Sequence, residues 1–450
     1  MENDPRRRGA LGRRAVLAAA LAASIGGCAD ASPSGNEGEE GDRPEPDDRG
    51  DADDGSSDDG PGEPTDEPDG DGDAKAESTV VEDVLLFDFE DLEEWELPAS
   101  DATLDGETSL TGGSSVRFEV GREENWARLE RTGLDLDLSE HRLSLVTRVH
   151  APDVPGQSVD VVLTDREGTE LRLRGRIRKT GTDTTLMPLD LGIREWDPDA
   201  PIDLASVERL RVQSRFDDET GGELWVDALY ATPLPETPVL TIHWDDGYLS
   251  QYTEGFPIQR EYGIPATTFV VPTYIGRDDE RLTLDQLHEL QDEGWDVSSH
   301  LYHHDNLTEL PPEEQETQIR DAKEWLVDNG FEEGAEYFAY PYGEHDQSSY
   351  DLVEEYHTFG LIGSEPGYGR PRNLPALGRT SERTIEDASA YVDTLVEWGG
   401  YGGLFWHRIP DETPIAEFDE IMATIAERRD DGDIAVVTLS ELDDRLRASW

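Results

Sequence analysis

The chain has 450 residues, with 104 aspartates and glutamates against 38 lysines and arginines, and a formal net charge of -66. Such a field repels nucleic acid and anionic lipid headgroups, which excludes an electrostatic nucleic-acid binder. A hydrophobic fraction of 35% is low for a wholly globular chain, so a polar segment dilutes two or three domains of ordinary size. Only Lys75, Lys179 and Lys323 are lysines. Carboxylate loading with arginine in place of lysine reads as adaptation to a saline medium, where the Debye length falls to about 3 Å at 1 M salt.

Arg6, Arg7, Arg8, Arg13 and Arg14 precede an apolar run that starts at Ala15 and closes on Ser24-Ile25-Gly26-Gly27-Cys28. Basic, short apolar and small-residue regions in that order predict a secretory signal over residues 1–28 rather than a spanning helix. Gly12-Arg13-Arg14-Ala15-Val16-Leu17 resembles a twin-arginine export signal, and Ile25-Gly26-Gly27-Cys28 resembles a lipoprotein box. The second resemblance implies a lipid on Cys28, the one cysteine of the chain, so no internal disulfide is expected. Residues 29–79 hold 20 acidic and three basic side chains and no Val, Ile, Leu, Met or aromatic residue. Nothing there offsets the entropy of ordering, which predicts a disordered, acidic, self-repelling linker. Together these features imply an exported protein, lipid-anchored to the outer face of the cell membrane.

Composition changes at Val80. Val84-Leu85-Leu86-Phe87-Asp88-Phe89, Ser115-Val116-Arg117-Phe118-Glu119-Val120, Leu143 to Val149, Val159 to Leu163, Leu171 to Ile177, Val207 to Val212 and Leu224 to Tyr230 are short, mostly alternating runs divided by Gly and Asp turns. This pattern predicts an antiparallel β-sandwich over residues 80–235. Phe87-Asp88-Phe89-Glu90-Asp91, Gly113 to Phe118 and Leu224 to Leu229 resemble the jelly-roll, galactose-binding-like modules of secreted carbohydrate enzymes. Trp95, Trp126 and Trp196 are flat faces a sugar could stack on, with core or edge packing the favoured expectation.

From residue 236 to 450 the pattern becomes strand, loop, helix. Strand-like runs are Pro238 to Trp244, Ala266 to Val271, Trp295 to Ser299, Tyr337 to Tyr340, Thr358 to Ile362, Gly403 to Trp406 and Ile434 to Leu439. Helical stripes begin at Thr283, Pro311 and Pro414. Alternation over this length predicts an α/β barrel or a layered parallel sheet, with functional side chains just past the carboxyl ends of the strands. There stand Asp245-Asp246-Gly247, His300-Leu301-Tyr302-His303-His304, Pro341-Tyr342-Gly343 and His407. Asp246, His300 and His304 supply one oxygen and two nitrogens, a set suited to Zn2+ or a similar divalent metal with a position open to water. Asp245 points to the other face and is left as a general base, and His407 as an acid. His303 competes with His304 if the register slips by one.

These motifs resemble the polysaccharide deacetylase family (carbohydrate esterase family 4), whose fold is a distorted (β/α) barrel. The carrying residues are His243-Trp244-Asp245-Asp246-Gly247, His300-Leu301-Tyr302-His303-His304, Ala339-Tyr340-Pro341-Tyr342-Gly343 and Leu404-Phe405-Trp406-His407. The resemblance implies hydrolysis of N-acetyl groups on an extracellular polysaccharide, with Asp245 as base, Asp246, His300 and His304 as metal ligands, the Tyr342 N–H on the oxyanion and His407 as acid. Departures are His243 and Trp244 for Thr and Phe, Leu301 for a hydroxyl residue and Ala339 for the arginine that partners the base. Arg379 is a candidate to replace that arginine, on equal terms with a surface ion pair. Two alternatives stay open: an O-acetyl glycan esterase using the same site, and a catalytically weak surface glycan-binding lipoprotein. A glycosidase is disfavoured, because no pair of acids across a glycosidic bond is evident.

Overall fold

Period-two burial organises the first half of the chain. In the computed structural model the described residues are 83–98, 102–121, 125–151, 156–177, 186–195, 200–217, 219–363 and 368–448. The signal region, Cys28, the acidic linker and Trp196 lie outside them. The first strands are β1 (Val84–Phe87), β2 (Ala102–Asp105), β3 (Ser115–Val120), β4 (Trp126–Leu136), β5 (His141–His150) and β6 (Gln157–Asp165). They continue with β7 (Glu170–Ile177), β8 (Met187–Asp190), β9 (Gly192–Glu195), β10 (Val207–Arg215) and β11 (Gly222–Pro233). One antiparallel sheet runs β2-β3-β11-β5-β8 with β1 added to β11; the other runs β4-β10-β6-β7-β9. Val116, Phe118, Leu145 and Leu224 of the first sheet and Leu129, Val161, Leu173 and Leu210 of the second are buried in one apolar cluster. Each such side chain contributes about 1.5–3 kcal/mol by leaving water. Trp95 packs into this core, its ring centroid 5.2 Å from Phe87 and 4.9 Å from Phe89, so it offers no face to a sugar.

The second half is a parallel sheet of β12 (Val239–Asp245), β13 (Thr267–Val270), β14 (Asp296–Ser299), β15 (Tyr337–Ala339), β16 (Phe359–Gly363), β17 (Leu377–Arg379) and β18 (Tyr401–Trp406), with β19 (Ala435–Val437) paired to β12. Among the described residues seven α-helices accompany them: α1 (Phe256–Tyr262), α2 (Leu284–Asp292), α3 (Pro312–Asp328), α4 (Gln347–Tyr356), α5 (Ile385–Trp398), α6 (Ile415–Asp430) and α7 (Leu439–Ala448). Strand order is β17-β16-β15-β14-β13-β12-β18. Thr380 N–H donates to the Gly403 carbonyl at 2.9 Å, and Phe405 N–H to the Thr380 carbonyl at 3.0 Å. These bonds draw the two ends of the sheet together, and the result is a nearly closed (β/α) barrel-like domain. Thr283 caps α2 as its sequence predicts, with Gln286 completing a reciprocal capping box.

β12 shows how the barrel aims its chemistry. Every residue of it is buried, so both faces are covered, as in parallel sheets generally. Leu240, Ile242 and Trp244 join the helix-side core, where Trp244 meets Phe418 at 5.4 Å and Trp406 at 6.0 Å. The alternate residues Thr241, His243 and Asp245 face the barrel interior, where Val239, Phe269, Tyr337, Phe359 and Tyr401 form a second apolar cluster.

The six-stranded sheet docks on the barrel through its outer face. Asp190 accepts from the Arg372 and Asn373 N–H groups at 3.0 and 3.2 Å, and the Arg372 guanidinium lies 3.5 Å from the Tyr230 ring. Arg142 donates to the Trp398 carbonyl, just before Gly400 pairs with the start of β12 at Val239. The contact is therefore at the amino ends of the barrel strands.

Candidate active site

Four of the five described non-glycine residues with positive φ ring the carboxyl ends of the barrel strands: Asp246 (72°), Leu301 (67°), His304 (62°) and Tyr342 (61°). A left-handed backbone costs an L-residue about 1–2 kcal/mol, so the surrounding packing enforces it. The local effect is to turn adjacent side chains to different faces. Asp245 ends β12 facing the interior, whereas Asp246, one residue on, turns toward the two histidines.

Asp246 Oδ1 lies 3.0 Å from His304 Nε2 and 3.5 Å from His300 Nε2, and one donor atom from each residue falls within 4.8 Å of the others. The His300 Nδ1 is 2.8 Å from the Ala339 carbonyl. A carbonyl only accepts, so the proton sits on Nδ1 and the Nε2 lone pair faces Asp246. Burial pulls His300 down to about 4, which keeps it neutral and able to ligate. Asp246 is held below the ordinary carboxylate range, because His304 and His300 outweigh the opposing effect of burial. Its buried Oδ1 makes no well-directed hydrogen bond among the described residues. One carboxylate oxygen and two imidazole nitrogens brought within 4.8 Å of one another form a donor set that fits a divalent cation. His303 is exposed and lies outside the cluster, to which His304 belongs.

Asp245 has a different environment. Arg379, buried at the end of β17, donates Nη1 to Oδ1 at 2.8 Å and Nη2 to Oδ2 at 2.7 Å. The guanidinium is flanked by the Phe405 ring at 4.5 Å and the Phe269 ring at 5.1 Å. Burial alone would raise the Asp245 pKa, but Arg379 outweighs it and keeps the carboxylate below its ordinary range. Ala339, where the family motif has arginine, is fully buried and contributes only its carbonyl, to His300. Arg379 is thus no surface ion pair; it is the buried partner of Asp245. Gly403 makes room for it, since a Cβ there would lie 3.0 Å from Arg379 Cβ and 3.3 Å from His243 Cε1. His243 is wholly buried beside Phe269 and does not line the opening of the site.

His407 follows β18, its Nε2 3.9 Å from Asp245 Oδ2. Glu412 grips it twice, accepting from the His407 backbone N–H at 2.8 Å and from Nδ1 at 2.9 Å. Burial disfavours the imidazolium, but Glu412 and Asp245 outweigh it and raise His407 above its ordinary value. Arg383 lies 3.1 Å from the same Glu412 carboxylate. Sequence reasoning missed Glu412; an acid five residues beyond a strand-end histidine was the available signal. Tyr342 stands at the rim, 60% exposed, with its ring 4.9 Å from that of His304. Its N–H donates to no other described residue.

Residues 234–358 match the family model described as Polysaccharide deacetylase. Arg379 and His407 lie beyond the matched stretch. The chain is 30% identical over 158 residues to YxkH of Bacillus subtilis (strain 168), a protein named as a polysaccharide deacetylase; the match spans 35% of this chain and 56% of YxkH. Among solved structures, peptidoglycan deacetylase PdaC from Bacillus subtilis is 19% identical over 47% of this chain and 93% of its own, with a TM-score of 0.33. A family 4 carbohydrate esterase from Streptomyces lividans in complex with acetate is 19% identical over 42% and 89%, TM-score 0.33. A family 4 acetyl xylan esterase from Clostridium thermocellum in complex with a cobalt ion is 16% identical over 46% and 90%, TM-score 0.35. The stretch that carries Asp245, Asp246, His300, His304 and Tyr342 is thus similar to the polysaccharide deacetylase family, and the chain spans little more than half the length of YxkH.

Proposed function

We propose that this chain is a metal-dependent hydrolase that removes N-acetyl groups from an extracellular polysaccharide. The observation that carries the reading is a carboxylate fixed by a buried arginine, Asp245, next to a separate one-carboxylate, two-imidazole donor set. A divalent cation bound by Asp246, His300 and His304 would supply Lewis-acid polarisation of the acetyl carbonyl and acidify water there. Asp245 takes the proton of the attacking water, oriented by the two-point contact with Arg379. The Tyr342 N–H donates to the oxyanion as the carbonyl becomes tetrahedral. His407, held protonated by Glu412, gives its Nε2 proton to the leaving amine, so that acetate and a free amino sugar result. The reading of a catalytically weak glycan binder rested on Ala339, and Arg379 supplies the guanidinium that Ala339 lacks. Export and lipid attachment at Cys28 belong to the same proposal.

Asp246→Ala and His300→Ala are expected to abolish both retention of a divalent cation and release of acetate from acetylated chito-oligosaccharide. Cation content by mass spectrometry after dialysis, together with an acetate assay at high salt with added Zn2+, checks this. Full acetate release by either variant would end the proposal. Acetate from O-acetylated xylan with none from the chito-oligosaccharide would turn it into the esterase.

Glu412→Gln is expected to move the alkaline limb of the kcat profile to lower pH. The sign follows from the direction of the shift: the Glu412 carboxylate raises His407, so its removal lowers the pH at which the imidazolium loses its proton. A profile superimposable on the parent's would remove Glu412 from that role.

A further inference from the structure

The outer face of the five-stranded sheet gathers arginine in a chain that is otherwise overwhelmingly acidic. Cross-strand pairing defines this face. On β10 the outward residues are Arg209, Arg211, Gln213 and Arg215, and on β4 they are Trp126, Arg128 and Glu130. Gln213 also pairs with Asp160 of β6, whose neighbours on β7 are Arg172, Arg174 and Arg176. The intervening residues, Leu129, Val161, Leu173, Leu210 and Val212 among them, point into the core. Seven arginines therefore meet Glu130, Asp160, Glu170 and the edge residues Glu96 and Glu195, whereas residues 80–235 as a whole carry 35 acids against 16 basic side chains. Only local charge matters to a ligand lying within a Debye length of the face.

The arrangement is built. Asp160 takes a two-point contact from Arg174 at 2.6 and 3.1 Å, Glu130 lies 3.3 Å from Arg211, and Glu170 lies 3.1 Å from Arg209. Arg128 and Arg215 lie over the Trp126 ring, at 4.9 and 5.9 Å from its centroid, which restrains two long side chains. The Arg128 guanidinium is held below its ordinary pKa by burial and then by Arg211, so these cations crowd one another. Polar atoms are also left over. The buried Gln213 Oε1, and the Nε of Arg128 and of Arg211, have no hydrogen-bond partner among the described residues. An acceptor and two donors on one face are satisfied together by hydroxyl groups, which donate and accept. A phosphodiester group has no hydrogen to donate to Gln213.

We propose that this face is a binding site for an acidic polysaccharide, one whose sugar rings carry carboxylates. Carboxylates match the arginine fork in two-point geometry, as Asp160 on Arg174 already demonstrates. Ring hydroxyls answer Gln213 and the unfilled arginine Nε positions. The other outer face of the sandwich is spent on docking to the barrel, through Tyr230, Arg142 and Asp190. The arginine face is turned away from that contact, which itself lies at the barrel end opposite Asp245. The site is thus separate from the candidate active site and does not rest on the deacetylase reading.

The test uses the full chain and four probes in affinity electrophoresis: polygalacturonate, dextran, dextran sulfate and single-stranded DNA. Binding to polygalacturonate and none to dextran is expected. Arg172→Gln with Arg211→Gln should weaken it by at least roughly ten-fold, and Glu170→Gln, which removes a competing carboxylate, should tighten it by roughly two- to five-fold. Acetate release should be unchanged in both variants. Equal retention by dextran, a preference for dextran sulfate or DNA, or indifference to Glu170→Gln would each overturn the proposal. The last of these holds even if the double arginine variant fails to fold.

Discussion

Asp245→Asn should retain a divalent cation and lose roughly 100- to 10,000-fold in turnover, the range a positioned general base contributes. The separation of effects follows from the geometry. Asp246, His300 and His304 form their donor set without any atom of Asp245, so cation content should match that of the parent. The amide keeps one acceptor for Arg379 but turns its NH2 toward the second guanidinium N–H, where Oδ2 now accepts at 2.7 Å. Two donors then face each other in a buried site, at a cost of about 1–3 kcal/mol. A modest fall in the thermal midpoint should accompany the loss of turnover. Single-turnover acetate release, cation analysis and a thermal melt on the same preparation distinguish the effects. Turnover within about ten-fold of the parent would take the base role from Asp245.

The site was legible where chemistry and strand boundaries coincide. A parallel barrel delivers side chains at the carboxyl ends of its strands, and Asp245-Asp246-Gly247 and His300 to His304 each stand there. What the residue order does not carry is contact across the fold. The Arg379–Asp245 pair spans 134 residues; residue order offered Arg379 only on equal terms with a surface ion pair, and the bridge through Thr380 is what brings β17 beside β18. Ala339 acts on His300 through its carbonyl, a group every residue possesses, so no side-chain motif could announce it. Glu412 was one carboxylate among 104 acidic residues. In the antiparallel half, the long alternating strands were readable, whereas β2, β8 and β9, of four residues each, fall below the length at which alternation is distinctive. The arginines of β7 and β10 read individually as solvent-facing positions. Their convergence needs the pairing β10-β6-β7, which no period-two pattern specifies.

Arg379→Ala is expected to be the most damaging single change outside the metal ligands. Asp245 has only 4% of its side chain exposed, and both of its oxygens are bound by this one guanidinium. Removing Arg379 leaves the Asp245 carboxylate buried without its hydrogen-bonded partner, with only the His407 imidazole 3.9 Å away, and breaking a buried ion pair in this way costs about 3–5 kcal/mol. The freed carboxylate also loses its orientation, and a displacement of about 1 Å at a reacting group is worth roughly 100-fold in rate. Arg379→Lys keeps a charge but provides a single ammonium in place of the planar fork, so it should recover stability more than turnover. The decisive variant is the double one, Ala339→Arg with Arg379→Ala. Ala339 belongs to the same interior cluster as Phe269, which flanks the Arg379 guanidinium. Removing the Arg379 side chain opens volume there, and an arginine from β15 can then approach Asp245 from the position the family motif uses. Recovery of at least about ten-fold in turnover over Arg379→Ala, measured with acetylated chito-oligosaccharide, is the expected result. A double variant that folds, binds cation and stays as slow as Arg379→Ala would mean that Asp245 needs this particular guanidinium, held between Phe269 and Phe405, and not merely a buried cation at that place.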